Sequence, residues 1–167
     1  AIELHSMSKS YNMTGWRLGF VAGHAKAINA VATIKDNIDS GQFKAIQKAA
    51  CAGIANQALS ESIRDHYAGR MRKLVQVLCD AGFDAKMPGG TFYLYLKAPK
   101  RAGSLVFNNA EAASQFLIRE HSICTVPWDD AGAYLRFSVT YEAANEAAED
   151  SLMAETQKRL EAIRPTF

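Results

Sequence analysis

A chain of 167 residues with 49% hydrophobic and 22% charged side chains is composed as a globular protein, neither disordered nor membranous, and is long enough for one ordinary domain or parts of two. Its 19 basic and 17 acidic residues are interspersed, so the formal net charge of +2 leaves no basic footprint for nucleic acid. No apolar run approaches membrane-spanning length and no basic-then-apolar leader is present, so neither a membrane nor export is expected and the cytoplasm is the expected compartment.

In chain order, Ile2 and Leu4 alternate with Glu3 and His5 as a short strand running into Ser6. After turn-like residues 12–15, the alternation of Trp16, Leu18, Phe20 and Ala22 with Arg17, Gly19 and Val21 predicts a second strand ended by Gly23. Alanine-rich residues 25–34 suit a helix, "NIDSG" (37–41) breaks it, and a small-residue helix is expected over about 42–59. Ser60 is placed to cap a longer helix in which Ile63, Tyr67, Met71, Leu74 and Leu78 recur at helical spacing before Gly82. Pro88-Gly89-Gly90 turns the chain into a strand over 91–96, with Phe92, Leu94 and Leu96 on one face and Tyr93 and Tyr95 on the other, set against an adjoining helix. Asn109 caps a helix to about Glu120, a short strand fills 123–126, and a last strand over 134–141 puts Leu135, Phe137 and Val139 opposite Arg136 and Ser138. The final helix carries Leu152, Met153, Thr156, Leu160 and Ile163 on one stripe and stops before Pro165.

Three cysteines, Cys51, Cys79 and Cys124, stand apart from one another without CxxC or histidine company, and read as buried free thiols. The four histidines have no spacing that suggests ligands, so no metal is expected.

The stretch with the most chemistry is "SMSKSYNMTGWRLG", residues 6–19. Ser6 and Ser8 offer hydroxyl donors and Arg17 a rigid fork of N–H groups, a set suited to a phosphate or carboxylate. A lysine beside such a dianion site, here Lys9, can condense with an aldehyde whose phosphate is gripped separately. Gly15 and Gly19 suit close backbone approach. On residue types alone, a solvated loop with turn-forming serines and a paired Arg17 explains the same residues.

The full spacing resembles the lysine motif of class I/II pyridoxal phosphate aminotransferases: serine, any residue, serine, lysine, then glycine, any residue, arginine, an apolar residue and glycine. That resemblance implies that Lys9 is the Schiff-base lysine and that Ser6, Ser8 and Arg17 hold the phosphate of pyridoxal 5'-phosphate. "PGGTFYLYL" is similar to the family's small-domain strand, and "AYLRFSVT" to the strand whose arginine, Arg136 here, binds the substrate α-carboxylate. "NIDSGQFKAIQ" (37–47) looks like the segment of LL-diaminopimelate aminotransferases in which an asparagine, Asn37 here, reaches the neighbouring subunit's substrate site; a turn former or helix cap is the plainer role. "PWDDAG" (127–132) departs from the glycine-and-phenylalanine loop of many relatives, leaving Trp128 and Asp129 as pocket lining or as a packed indole and an exposed carboxylate.

The fold so implied is α/β, the C-terminal portion of the fold type I aminotransferase architecture. Residues 1–63 would complete the large cofactor domain, and 64–167 would form the linking helix and small α+β domain. The implied reaction is amino transfer from an amino acid to a 2-oxo acid by a homodimer, with LL-diaminopimelate or aspartate- or alanine-like substrates, and the chain by itself is expected to be inactive. Two alternatives stand beside it: a pyridoxal phosphate-dependent C–S lyase or synthase on the same fold, which shares the lysine motif, and the aminotransferase-like sensor domain of a transcriptional regulator, over which the motif with "NMTGWR" favours the enzyme.

Overall fold

The computed structural model describes residues 1–167, which divide into two compact units, Ala1–His66 and Tyr67–Phe167. The architecture is mixed α/β. No helix is long and apolar enough to cross a membrane.

In the N-terminal unit, β1 (Ile2–Ser6) and β2 (Gly19–Gly23) form an antiparallel hairpin, with Ser6 opposite Gly19 and Ile2 opposite Gly23. The second strand starts later than its alternation predicts. A single 3-10 turn, Thr14–Trp16, comes first, and Arg17 then takes a left-handed conformation (φ 52°, ψ 48°), which no strand residue adopts. Helix α1 (Ala25–Lys35) follows the predicted span, capped by His24, whose ring accepts from the Lys26 N–H at 3.3 Å. Helix α2 (Lys44–Ala55) ends four residues before the predicted limit of Leu59, because Asn56 leaves helical geometry (φ −107°, ψ 89°). Asn56, and not Ser60, then caps α3 (Gln57–Asp80): its side-chain Oδ1 accepts from the Leu59 N–H at 3.3 Å. Ser60 lies one turn inside and bonds back to the Gln57 carbonyl. The core of this unit is small, with Met7, Met13 and Ala50 buried and Tyr11 and Leu18 packed against them.

The C-terminal unit is built on the sheet β3 (Tyr93–Lys97), β7 (Tyr134–Ser138) and β6 (Val126–Trp128), antiparallel with β7 at the centre. Its inner face supplies Leu94, Leu96, Leu135 and Phe137 to a core shared with Met71, Leu74 and Leu78 of α3. Helix α4 (Ala110–His121) adds Leu117, and α5 (Glu146–Ile163) adds Met153, Leu160 and Ile163. Leu152 stays exposed, so the α5 stripe is narrower than predicted. A small second sheet of β4 (Arg101–Ala102), β5 (Leu105–Val106) and β8 (Pro165–Thr166) makes the strand over 134–141 not the last one. The strand predicted over 123–126 begins only at Val126, because Ile123 and Thr125 are instead buried against α4, where Thr125 and Ser114 bond at 2.9 Å.

Two further expectations are corrected. All three cysteines are free thiols, but each is exposed rather than buried. Tyr95 does not face a helix: it stacks on Tyr134 (4.7 Å, 13°) and meets the edge of Trp128 at 6.5 Å, on the open side of the sheet.

Candidate functional site

The segment from Ser6 to Gly19 folds as a loop closing the β1–β2 hairpin, and its hydrogen bonds explain why. The Met7 N–H reaches the Leu18 carbonyl at 3.1 Å, extending the hairpin by one rung, while the Met7 carbonyl accepts from Met13 at 3.2 Å. Met7 is fully buried and pins the loop to the small core. Between these anchors the chain bulges outward: Asn12 N–H closes a turn on the Lys9 carbonyl at 3.2 Å, and Asn12 sits at φ 56°. Lys9 is thereby displayed at the start of a turn, on an exposed arc between two buried methionines.

Ser6, Ser8 and Arg17 are tied into one hydrogen-bonded unit. The Ser6 hydroxyl oxygen accepts from the Ser8 N–H at 3.1 Å, which leaves its own hydrogen to donate. The Ser8 carbonyl accepts from the Thr14 hydroxyl at 2.8 Å, and the Thr14 carbonyl in turn accepts from Arg17 Nη1 at 3.1 Å. Thr14 is the residue that sequence reasoning passed over. It links the serine end of the motif to the arginine end, and the only signal for it was its place just before Gly15. Ser8 is buried yet its hydroxyl forms no hydrogen bond within the chain, and Arg17 spends one N–H on Thr14 and keeps the rest.

No acidic residue occurs between Glu3 and Asp36, a span that includes Lys9, Arg17, Lys26 and Lys35. Two hydroxyl donors, a guanidinium and a local excess of positive charge are the donor set a phosphate monoester requires. The residues present therefore fit the phosphate of pyridoxal phosphate, and Lys9 follows Ser8 directly in the chain. Of the two glycines in the motif, only Gly19 is sterically required. A Cβ there would lie 2.5 Å from the His5 carbonyl oxygen, whereas nothing lies within 4 Å of a Cβ at Gly15.

In the C-terminal unit Arg136 occupies the middle of β7, opposite Tyr95 on one side and Val126 on the other. It is partly exposed on the open face, away from Leu135 and Phe137, as the alternation predicts. Its guanidinium lies over the Tyr93 ring, 4.4 Å from the centroid, and engages no carboxylate or carbonyl of the chain. Such a group is chemically ready for an external carboxylate. Asn37 lies just past α1, donating from its amide to the Thr33 carbonyl at 2.8 Å, a helix-end contact of the plainer kind. Asp129 takes on a local task as well: its carboxylate accepts from the N–H groups of Ala110 (2.8 Å) and Glu111 (3.3 Å), while Asn109 accepts from Ala112 (2.8 Å), so two side chains cap α4. Trp128 remains exposed, in edge contact with Tyr95.

The chain is similar to known proteins in both sequence and fold. The chain is 48% identical to the LL-diaminopimelate aminotransferase of Methanocaldococcus jannaschii, over 99% of this chain and 42% of that protein. It is 47% identical to the enzyme of the same name from Methanococcus maripaludis, over 99% and 41%. Among solved structures, an aminotransferase from Staphylococcus aureus superimposes with a TM-score of 0.78 at 26% identity, covering 98% of this chain and 42% of that one. The chain thus spans about two-fifths of the length of these relatives. Residues 1–152 match the family described as aminotransferase class I and II. By sequence and by fold, this chain belongs to the class I and II aminotransferases.

Proposed function

We propose that this chain carries the cofactor lysine and the substrate-carboxylate arginine of a pyridoxal phosphate-dependent aminotransferase that moves an amino group from an amino acid to a 2-oxo acid. LL-diaminopimelate is the amino donor we infer first, because relatives at 48% and 47% identity bear that name and align with 99% of the chain. The observation that carries the reading is the single hydrogen-bonded unit of Ser6, Ser8, Thr14 and Arg17 beside Lys9.

When bound, pyridoxal phosphate supplies an aldehyde for condensation with amines and an electron sink for charge developing at the substrate α-carbon. The rest of the work falls to this chain's residues. Ser6 and Ser8 donate from their hydroxyls, and Arg17 from its remaining N–H groups, to the phosphate oxygens. Lys9 would be the residue that holds the group through its amine, and its Nζ would be free for proton transfer once substrate is bound. The same nitrogen then takes the proton from the substrate α-carbon and returns it further along, as a general base and then acid. Arg136 presents two parallel N–H donors to the α-carboxylate, fixing which bond of the α-carbon faces Lys9. In this reading residues 1–63 belong to the cofactor domain and 64–167 to the linking helix and small domain, with two copies of the protein forming the working enzyme.

The test uses the complete gene product with pyridoxal phosphate, LL-diaminopimelate and a panel of 2-oxo acids, following formation of the new amino acid. Lys9→Ala is expected to lose covalent cofactor retention after borohydride treatment, and to lose turnover by roughly a hundredfold to ten-thousandfold or more. With a cysteine S-conjugate supplied as a further substrate, its cleavage to a thiol, ammonia and a 2-oxo acid in place of amino transfer would assign the protein to the C–S lyases. Borohydride-stable cofactor at the unmutated level in Lys9→Ala would remove Lys9 from its role.

A further inference from the structure

An arginine that must receive a substrate carboxylate faces a conflict. Its long side chain needs a partner to hold it in place, yet a carboxylate or carbonyl partner would consume the N–H donors the substrate requires. At Arg136 a single aromatic contact bears on both demands. The guanidinium carbon lies over the Tyr93 ring, 4.4 Å from the centroid, a contact that uses the charge of the cation and not its hydrogen-bond donors. The N–H groups radiate along the edge of the guanidinium plane, and none bonds to the protein.

Tyr93 is itself held firmly enough to serve. Its backbone stands in the β3–β7 ladder opposite Ser138, two residues along from Arg136. Its ring meets Phe92 at 4.6 Å and 63°, and Phe92 meets Tyr67 of α3 at 5.3 Å. The Phe92 carbonyl accepts from Val139 N–H at 3.1 Å, which continues the ladder past the end of β7. A row of three rings thus runs from α3 to the guanidinium.

We propose that Tyr93 is a positioning residue for the substrate: its ring holds the Arg136 guanidinium by a cation–π contact that leaves the fork of N–H donors open to the substrate α-carboxylate. The proposal rests on the assignment of Arg136 made above. It attributes the effect to the ring face and not to the phenolic hydroxyl, so phenylalanine should serve in place of tyrosine and an aliphatic residue should not.

The experiment compares Tyr93→Phe, Tyr93→Leu, Arg136→Gln and the Tyr93→Leu/Arg136→Gln double variant of the complete gene product, loaded with pyridoxal phosphate and assayed with LL-diaminopimelate. KM and kcat are measured, together with the cofactor absorbance spectrum. Arg136→Gln should raise KM roughly thirtyfold or more. Tyr93→Leu should raise it roughly three- to tenfold, with a smaller change in kcat and an unchanged cofactor spectrum. Tyr93→Phe should stay within about twofold of the parent, and Tyr93→Leu should add less than about twofold once Arg136 is gone. If Tyr93→Leu folds poorly, Tyr93→Ile, which a strand accommodates well, carries the same comparison. An unchanged KM in Tyr93→Leu beside a raised one in Arg136→Gln overturns the proposal and leaves the Arg136 assignment standing. An unchanged KM in Arg136→Gln removes that assignment and the proposal with it. Loss in Tyr93→Phe equal to that in Tyr93→Leu, or a full additional loss in the double variant, also overturns it.

Discussion

At Gly19 an added Cβ would fall 2.5 Å from the His5 carbonyl oxygen, a backbone atom that cannot swing aside, so the β1–β2 rung between Ser6 and Gly19 would have to open. That rung carries Ser6, one of the proposed phosphate donors. Gly19→Ala should therefore cost about 1–3 kcal/mol in denaturant unfolding and weaken pyridoxal phosphate binding in the same variant. Gly15→Ala is the matched control. Nothing lies within 4 Å of a Cβ there and its φ is not positive, so stability should change by less than about 1 kcal/mol in either direction. Equal losses at both positions would mean that the loop is sensitive to any change in glycine content and not to the His5 contact. At this scale the sequence spacing picks out Ser6, Ser8, Lys9 and Arg17 as one proposed set, and the structure places them in one loop because the motif is local. It was silent on Thr14, whose role depends on two bonds, to the Ser8 carbonyl and from Arg17, that no residue type announces.

At the scale of elements, what could be read in advance followed from periodicity. Met71, Leu74 and Leu78 on α3, and Leu94, Leu96, Leu135 and Phe137 on the sheet, are buried as their spacing predicts. What could not be read depends on partners distant in sequence. Arg70, adjacent to that α3 stripe, is buried: its Nε donates to Glu149 at 2.8 Å, its Nη1 reaches the carbonyls of Val139 (3.3 Å) and Tyr141 (2.5 Å), and its guanidinium lies 4.3 Å from the Tyr141 ring centroid. Lys73, one turn on, adds bonds to Glu149 (3.2 Å) and Asp150 (2.6 Å). These ties hold the chain beyond β7 and the start of α5 to α3. For Glu149 burial pushes the carboxyl pKa up, but the bonds from Arg70 and Lys73 outweigh it and the net shift is below the ordinary 4.5. A carboxylate depressed on folding contributes stability that is present above 4.5 and is lost as pH falls through its folded value. Urea unfolding at a series of pH values below about 6 should show that loss in the parent and a shallower dependence in Glu149→Gln. Arg70→Ala, which leaves Glu149 with Lys73 alone and removes the donor to the Val139 and Tyr141 carbonyls, should cost about 1–3 kcal/mol at neutral pH. A pH profile unchanged in Glu149→Gln would mean that other carboxylates govern the acid limb.

Across the whole molecule the two units differ sharply in how much apolar surface they cover. The C-terminal unit buries a continuous core drawn from three helices and the β3–β7–β6 sheet, whereas the buried apolar residues of the N-terminal unit are Met7, Met13 and Ala50. Its hairpin is a two-stranded sheet, so β1 and β2 each have one edge without a strand partner. Leu4 is 79% exposed, Ile38 74% and Phe43 73%, with Ile2, Trp16 and Ile34 exposed as well. Unpaired edges and apolar faces of this kind associate in water unless something covers them. This 167-residue chain, expressed as it stands, should therefore self-associate through residues of the N-terminal unit. Sedimentation velocity over a concentration series should show a rising average mass, and the Leu4→Lys/Ile38→Lys variant should shift that rise to higher concentration. A lysine at Leu105, exposed in the C-terminal unit, should leave it in place. Hydrogen exchange supplies the second half of the test. Amides of β3, β7 and α4, which rest on the larger core, should exchange more slowly than those of β1 and β2, whose rungs depend on one neighbour and a three-residue core. A chain that stays monomeric at every concentration, with hairpin amides as protected as those of β7, would show that the exposed face of the N-terminal unit is stable in water as it is.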